Sequence, residues 1–258
     1  MTVAHPDFEA ILHPSGLSVA AGPLATLPWL RHASTTRQFS PPDSPRVEEL
    51  MKVQEHLGVQ HSPLVFAEQK HTSNIGLVTQ EIIENLSGAP TYRFSATDAI
   101  VCPLPNVTIT IMTADCAPVF LADPNRRIIA LAHAGWKGTF SRIAAKTVAS
   151  MQSLGSNPAD IIAWVGPMAG GCCYEVSQEL IDQFVAAFPD SPVESLHKGR
   201  HLDLVQINCT QLQKSGLRGE NVHRSNICTI HHSDMFYSYR ADKGTHGRIV
   251  SAMSIIEE

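Results

Sequence analysis

The sequence predicts an α/β fold: a single layered catalytic domain over residues 1–258, with mixed β-sheets packed between α-helices and residues 1–30 at its periphery. Three observations carry this. Hydrophobic residues make up 43% of the 258, enough for a sizeable core. Short β-branched runs are interspersed with segments of helical spacing, the order expected of sheets covered by helices. No repeat, low-complexity tract or long linker divides the chain.

The elements follow in order. The cluster of Pro41, Pro42, Asp43, Ser44 and Pro45 reads as a loop. Arg46–Leu57 has helical spacing and stops at Gly58, where a left-handed residue is expected. Residues 64–67, 75–78, 99–101 and 107–111 read as strands. Asp123, Pro124 and Asn125 mark a tight turn, and 128–132 reads as a buried strand leading into His133. That hairpin places Cys116 near His133. Residues 139–154 set Phe140, Ile143, Ala144, Thr147, Val148 and Met151 on one helical face, ended by Gly155. A strand at 161–165 precedes a helix capped by Ser177, with Glu179 at its positive start, that turns Leu180, Ile181, Phe184 and Phe188 inward and ends at Pro189. Residues 204–215 read as helix, and 227–230 and 249–256 as strands.

Composition narrows the function. Charged residues are 17% and the formal net charge is −5, so no basic stripe exists to neutralise a phosphate backbone, and nucleic acid is not an expected partner. No apolar run approaches the roughly 20 residues of a membrane span, and the first 20 residues lack the basic start and unbroken apolar core of a secretory signal. A cytoplasmic protein is expected. There its six cysteines stay reduced, so a special cysteine acts as ligand or nucleophile.

Chemistry concentrates in Thr113-Ala114-Asp115-Cys116-Ala117-Pro118 and His133-Ala134-Gly135-Trp136-Lys137-Gly138. A cysteine and a histidine at adjacent strand ends, beside glycines that let backbone approach a ligand, suit a metal or a thiolate–imidazole dyad. Spacing alone leaves both open, along with a buried packing cysteine.

These two motifs join Gln69-Lys70-His71, Gly166-Pro167 leading into Cys172-Cys173-Tyr174-Glu175-Val176, and Phe236-Tyr237-Ser238-Tyr239-Arg240 before Gly247-Arg248. Together they resemble the family of bacterial proteins known as multicopper polyphenol oxidases or purine nucleoside phosphorylases, also linked to peptidoglycan editing. The resemblance runs from about Thr36 to Ser251. It implies a zinc ion held by His71, Cys116 and His133. Two imidazoles and a thiolate are ordinary zinc ligands, and three protein ligands leave a fourth position open for catalysis. It also implies phosphorolysis of adenosine, inosine and S-methyl-5'-thioadenosine, and a metal-activated water suits deamination of adenosine.

Asp115 and Glu175 are the carboxylates nearest for proton transfer, which with Cys116 makes the candidate catalytic set, although Asp115 fits the holding of a ligand or loop equally well. Arg37, Lys137, Arg240 and Arg248 are candidates for phosphate, each with a surface salt bridge as its bland alternative; Lys137 stands where the family usually has arginine. Trp136 and Tyr174 fit either purine stacking or core packing. Cys172 and Cys173 read as packing residues, and His5, His13, His61, His231 and His232 as loop residues.

Copper is the minor alternative metal: two histidines and a cysteine also make a blue-copper set, but no two histidines are separated by one residue, as a trinuclear copper cluster requires. A cysteine hydrolase or deamidase, a peptidoglycan-precursor editing enzyme and a noncatalytic binding module compete with the purine reading. Oligomeric state is not legible.

Overall fold

The β-branched runs gather into two large sheets between which the chain crosses repeatedly. The computed structural model describes residues 3–4, 10–13, 17–39, 41, 43, 46–86 and 91–257; His5 and part of the 41–45 proline cluster lie outside them. Strands β1 (Val3–Ala4), β2 (Ala10–Leu12), β3 (Ser18–Ala21) and β4 (Leu30–Thr35) come first. Helix α1 (Arg46–Leu57), β5 (Leu64–Ala67), β6 (Ile75–Leu77), α2 (Gln80–Glu84), β7 (Thr91–Phe94), β8 (Ala99–Cys102) and β9 (Thr108–Thr113) follow. A central hairpin of β10 (Ala117–Asp123) and β11 (Ile128–Ala134) leads to α3 (Trp136–Phe140), α4 (Ile143–Ser153) and β12 (Ile162–Val165). Helices α5 (Gln178–Ala187) and α6 (Val193–Leu196), the ribbon β13 (His197–Lys198) and β14 (His201–Leu202), α7 (Leu204–Lys214), β15 (Val222–Arg224) and β16 (Ile249–Ile255) complete the order.

Among the described residues, the eight-stranded sheet runs β1-β2-β3-β4-β16-β9-β5-β7 and the six-stranded sheet β15-β12-β10-β11-β8-β6. Both are mixed: β5 lies parallel to β7 and β9, and β6 parallel to β8, amid antiparallel pairs. Strand parity decides what each face meets. Strands β10 and β11 are buried along their length, so neither alternates polar with apolar. Ala117, Val119, Leu121, Ala130 and Ala132 face helices α4, α5 and α7 through Ile143, Val148, Ile181, Phe184 and Leu212. The alternate residues Phe120, Ala122, Ile129 and Leu131 face the other sheet at Val65, Ile109 and Ile249. Helix α1 covers that sheet's far side, with Leu50 and Val53 on Leu64, Val250 and Ala252. The layers are therefore helix, sheet, sheet, helices, the architecture the sequence predicts. No helix among the described residues is long and apolar enough to cross a membrane.

Two elements differ from expectation. The helix over 139–154 is two helices, because Arg142 turns left-handed at φ 60°. Helix α7 captures the end of the first: Asn208 Nδ2 donates to Thr139 Oγ1 at 3.0 Å and Gln211 Nε2 to its carbonyl at 2.8 Å. Residues 227–230 form no strand. Asn226 is left-handed at φ 57°, and only one bridge, Met168 to Cys228, joins this segment to the loop after β12. Of the segment 1–30, expected at the periphery, the described residues supply the outer strands β1–β3, while Leu24 and Trp29 are buried in the inter-sheet core.

Trp164 in β12 is fully buried, its ring 5.1 Å from Phe120, and its indole N–H has no partner among the described residues. Trp164→Ala is expected to destabilise by about 3–5 kcal/mol in urea unfolding, whereas Trp164→Phe, which removes an unpaired N–H, should lose under about 1.5 kcal/mol.

Candidate metal centre

The hairpin register builds the first half of the site. Ala117 pairs with Ala134 and Pro118 with His133, so one step beyond the ladder Cys116 stands across from Gly135. Cys116 and His133 share the parity of Phe120 and Leu131 and therefore point to the inter-sheet side. Gly135 is required by contact: a Cβ there would lie 2.7 Å from Cys116 Sγ and 3.2 Å from the His71 ring.

The second half arrives on the loop after β5. Gln69 holds this loop to β9 through a paired amide contact, donating to the Met112 carbonyl at 2.6 Å and accepting from its N–H at 2.8 Å. His71 adopts the left-handed region at φ 57°, a conformation a histidine keeps only when its surroundings hold it. Those surroundings are Asp98, fully buried just before β8. Its carboxylate accepts from the backbone N–H of Lys70, His71 and Thr72 at 3.2, 3.1 and 2.7 Å, and from Thr72 Oγ1 at 2.7 Å. It also accepts from His133 Nδ1 at 2.8 Å, which leaves Nε2 of that ring for the site.

The ligand atoms of His71, Cys116 and His133 all lie within 4.8 Å of one another. His71 Nε2 is 3.9 Å from Cys116 Sγ, close to the about 3.6 Å edge implied by bonds of about 2.3 Å to sulfur and 2.0–2.1 Å to nitrogen in a tetrahedron. Two nitrogens and a sulfur at this spacing fit zinc, and equally the His2Cys set of copper.

Electrostatics favours the Cys116 thiolate and the Asp98 carboxylate, and charges His133, which gives up its Nε2 proton when a metal binds. Burial opposes the Cys116 thiolate, but His133 and His71 outweigh it and bring the thiol down to about 6. Burial likewise opposes a charged His133, yet the Cys116 and Asp98 charges raise it to about 9. Asp98 resists burial through its bonds to His133 and Thr72 and falls to about 2.

The triad opens into a cleft of about 600 Å³, within the usual range for small-molecule sites. Asp115, Arg240 and Arg248 line it; Glu175, Arg37 and Lys137 do not. Asp115, left-handed at φ 81°, has both carboxylate oxygens engaged, one by Thr229 Oγ1 at 2.7 Å and one by the backbone N–H of Arg240 at 2.8 Å. Glu175 is exposed and pairs with Arg200, while its carbonyl accepts from Arg240 Nη1 at 2.8 Å. Arg37 is bound to Asp242 at 2.6 Å and lies over Tyr237. Lys137 extends over the Trp136 ring at 5.5 Å. Arg240 stacks on Tyr174 at 4.9 Å, and Trp136 and Tyr174 both face the cleft.

The sequence does not reveal Asp98 or the cleft cations Arg46 and Arg93, which come from α1 and β7. An acidic residue directly before an apolar strand is the one available signal for Asp98, and turns carry the same pattern.

A family model described as multi-copper polyphenol oxidoreductase laccase matches residues 42–256. The chain belongs to that family. It is 38% identical over 200 residues to the purine nucleoside phosphorylase YlmD of Bacillus subtilis, covering 75% of this chain and 71% of that one. It is 41% identical over 158 residues to the purine nucleoside phosphorylase of Deinococcus radiodurans, covering 61% of each chain. Among solved structures, the hypothetical protein YfiH of Bacillus licheniformis superposes with a TM-score of 0.83 at 29% identity, over 97% of this chain and all (100%) of that one. YlmD of Geobacillus stearothermophilus gives 0.81 at 26% identity, over 93% and 96%. The motifs from Gln69 to Arg248 lie within the segment that the family model matches.

Two outcomes test the centre. Gly135→Ala is expected to lower metal affinity at least tenfold and Asp98→Asn about 10–100-fold, measured by competition with a chromophoric chelator. In chelator-treated protein, alkylation of Cys116 should depend on a thiolate that persists down to about pH 6, where an ordinary thiol needs about 8.5; peptide mass spectrometry reads the rate, and His133→Ala should move the midpoint upward.

Proposed function

We propose that the cleft is a purine nucleoside site where a zinc ion on His71, Cys116 and His133 serves phosphorolysis of adenosine, inosine and S-methyl-5'-thioadenosine, and deamination of adenosine. The observation that carries this reading is a His2Cys set at the base of a 600 Å³ cleft walled by aromatic rings and arginines, in a chain whose relatives are named purine nucleoside phosphorylases. Bound there, the metal supplies a Lewis acid and a nucleophile at neutral pH.

The chain's own side chains divide the rest of the work. Trp136 and Tyr174 offer flat apolar surface to a purine, where stacking contributes about 1–3 kcal/mol per base. Arg240 and Arg248, joined by Arg46 and Arg93, hold phosphate against the ribose through charge-assisted hydrogen bonds. Burial and the nearby Arg46 lower the Arg248 pKa, the sign of a cation that gains from a bound anion. In this reading Arg37 and Lys137 leave phosphate to the four lining arginines. Asp115, with both oxygens engaged, positions Arg240, and Glu175 acts through its backbone carbonyl on the same arginine. Copper is the competing occupant, because the donor set suits it and the family description names it.

The test uses full-length protein of known metal content, incubated with adenosine with and without phosphate, and chromatography of the products. Inosine without phosphate and free base with phosphate are expected. His133→Ala should lower both rates at least 100-fold, and Arg93→Ala or Arg248→Ala should lower phosphorolysis about tenfold while sparing deamination. Neither product from fully zinc-loaded protein, or robust phenol oxidation with copper in place of zinc, would defeat the proposal.

A further inference from the structure

The geometry points to a second metal site, a structural one, formed by Cys172, Cys173, Cys228 and His231. It stands independently of the proposed function. The ligand atoms of these four residues lie within 4.8 Å of one another. Cys172 Sγ is 3.6 Å from His231 Nδ1, matching the edge of about 3.6 Å that a sulfur and a nitrogen span on a tetrahedral zinc ion. All six cysteines of the chain are free thiols in the structure.

The local backbone is shaped for sulfur. Gly170 N–H points at Cys228 Sγ at 3.4 Å, the kind of contact that stabilises a ligating thiolate. A Cβ at Gly170 would lie 3.2 Å from Cys172 Sγ and 3.4 Å from Cys228 Cβ, so the loop approaches the sulfurs as closely as glycine permits. Two of the thiols resist ionisation: burial and the neighbouring sulfurs push Cys172 up to about 12 and raise Cys173 as well. A bound dication reverses that balance and takes the thiolates directly.

Three cysteines and a histidine make a closed four-ligand set, which distinguishes this cluster from the open His71, Cys116, His133 triad. Soft thiolates select zinc over magnesium or calcium. The site joins two loops that the bridge between Met168 and Cys228 brings side by side. One loop leads into Tyr174, and the other carries Thr229, which donates to Asp115. An ion here fixes one wall of the cleft from outside.

Metal analysis of full-length protein, expressed with zinc and purified without chelator, is expected to give two zinc ions per chain. Cys172→Ser and His231→Ala should each leave one, His133→Ala should also leave one, and Cys172→Ser combined with His133→Ala none. Where Cys172→Ser fails to fold, the cobalt-loaded Cys116→Ala protein decides, because with that thiolate gone a thiolate-to-cobalt absorption band of tetrahedral intensity must come from the second site. Zinc should also raise the melting temperature of His133→Ala. One zinc in the wild type that disappears with His133→Ala, no thiolate–cobalt band in Cys116→Ala, or a disulfide among Cys172, Cys173 and Cys228 under non-reducing mass spectrometry would overturn the assignment.

Discussion

A single buried carboxylate ties the two halves of the candidate centre together. Asp98 sits at the start of β8, and its side chain accepts hydrogen bonds from three successive N–H groups of the loop that carries His71 and from Nδ1 of His133. Its own carbonyl accepts from the His133 N–H at 2.7 Å. One residue thus fixes the backbone under one ligand and the tautomer of another. A charge with no exposure is stable only when its acceptor capacity is filled, and here four N–H donors and a hydroxyl fill it. Removing any one partner leaves the others on a charge with too few donors, so the loop, the imidazole and the carboxylate hold or fail together.

The linkage carries a definite sign. Asp98 has a depressed pKa, so its contribution to stability is present above the ordinary carboxylate range and is lost as pH falls toward about 2. His133 has a raised pKa in the metal-free state, so its contribution is present below the ordinary imidazole value and is lost as pH rises through about 9. At neutral pH the Asp98 contribution is complete and that of His133 has begun to decline. The left-handed conformations of His71 and Asp115, at φ 57° and 81°, mark where the chain accepts backbone strain to aim side chains into one cleft.

Sequence makes the core of the site visible and hides the frame around it. The Asp123-Pro124-Asn125 turn between buried runs gives away the β10–β11 hairpin, and with it the approach of Cys116 to His133, because a two-strand register is a local matter. His71 is reachable only through the family resemblance, since nothing in its spacing links it to a hairpin some 45 residues on. Asp98 escapes notice because its meaning lies in contacts to residues 70–72 and 133, and a lone aspartate before a strand looks like turn chemistry. The break at Arg142 is hidden for a related reason: apolar spacing runs across it, and bonds from α7 to Thr139 decide the outcome. Cys172 and Cys173 read as packing residues because their partners lie more than fifty positions away; the two-residue gap between Cys228 and His231 is the sign of ligand spacing in that segment.

The cations follow the same division. Arg240 and Arg248 fall within recognisable motifs and do line the cleft, whereas Arg46 and Arg93 come from a helix start and an edge strand that only the sheet order brings there. Crystals of the full-length protein, with diffraction collected above and below the zinc absorption edge, give the most direct test of the central claim. An anomalous zinc peak is expected at bonding distance, about 2.0 to 2.3 Å, from His71 Nε2, Cys116 Sγ and His133 Nε2, with Asp98 still on His133 Nδ1. No peak at that position, or a peak that persists below the zinc edge as copper would give, would contradict it.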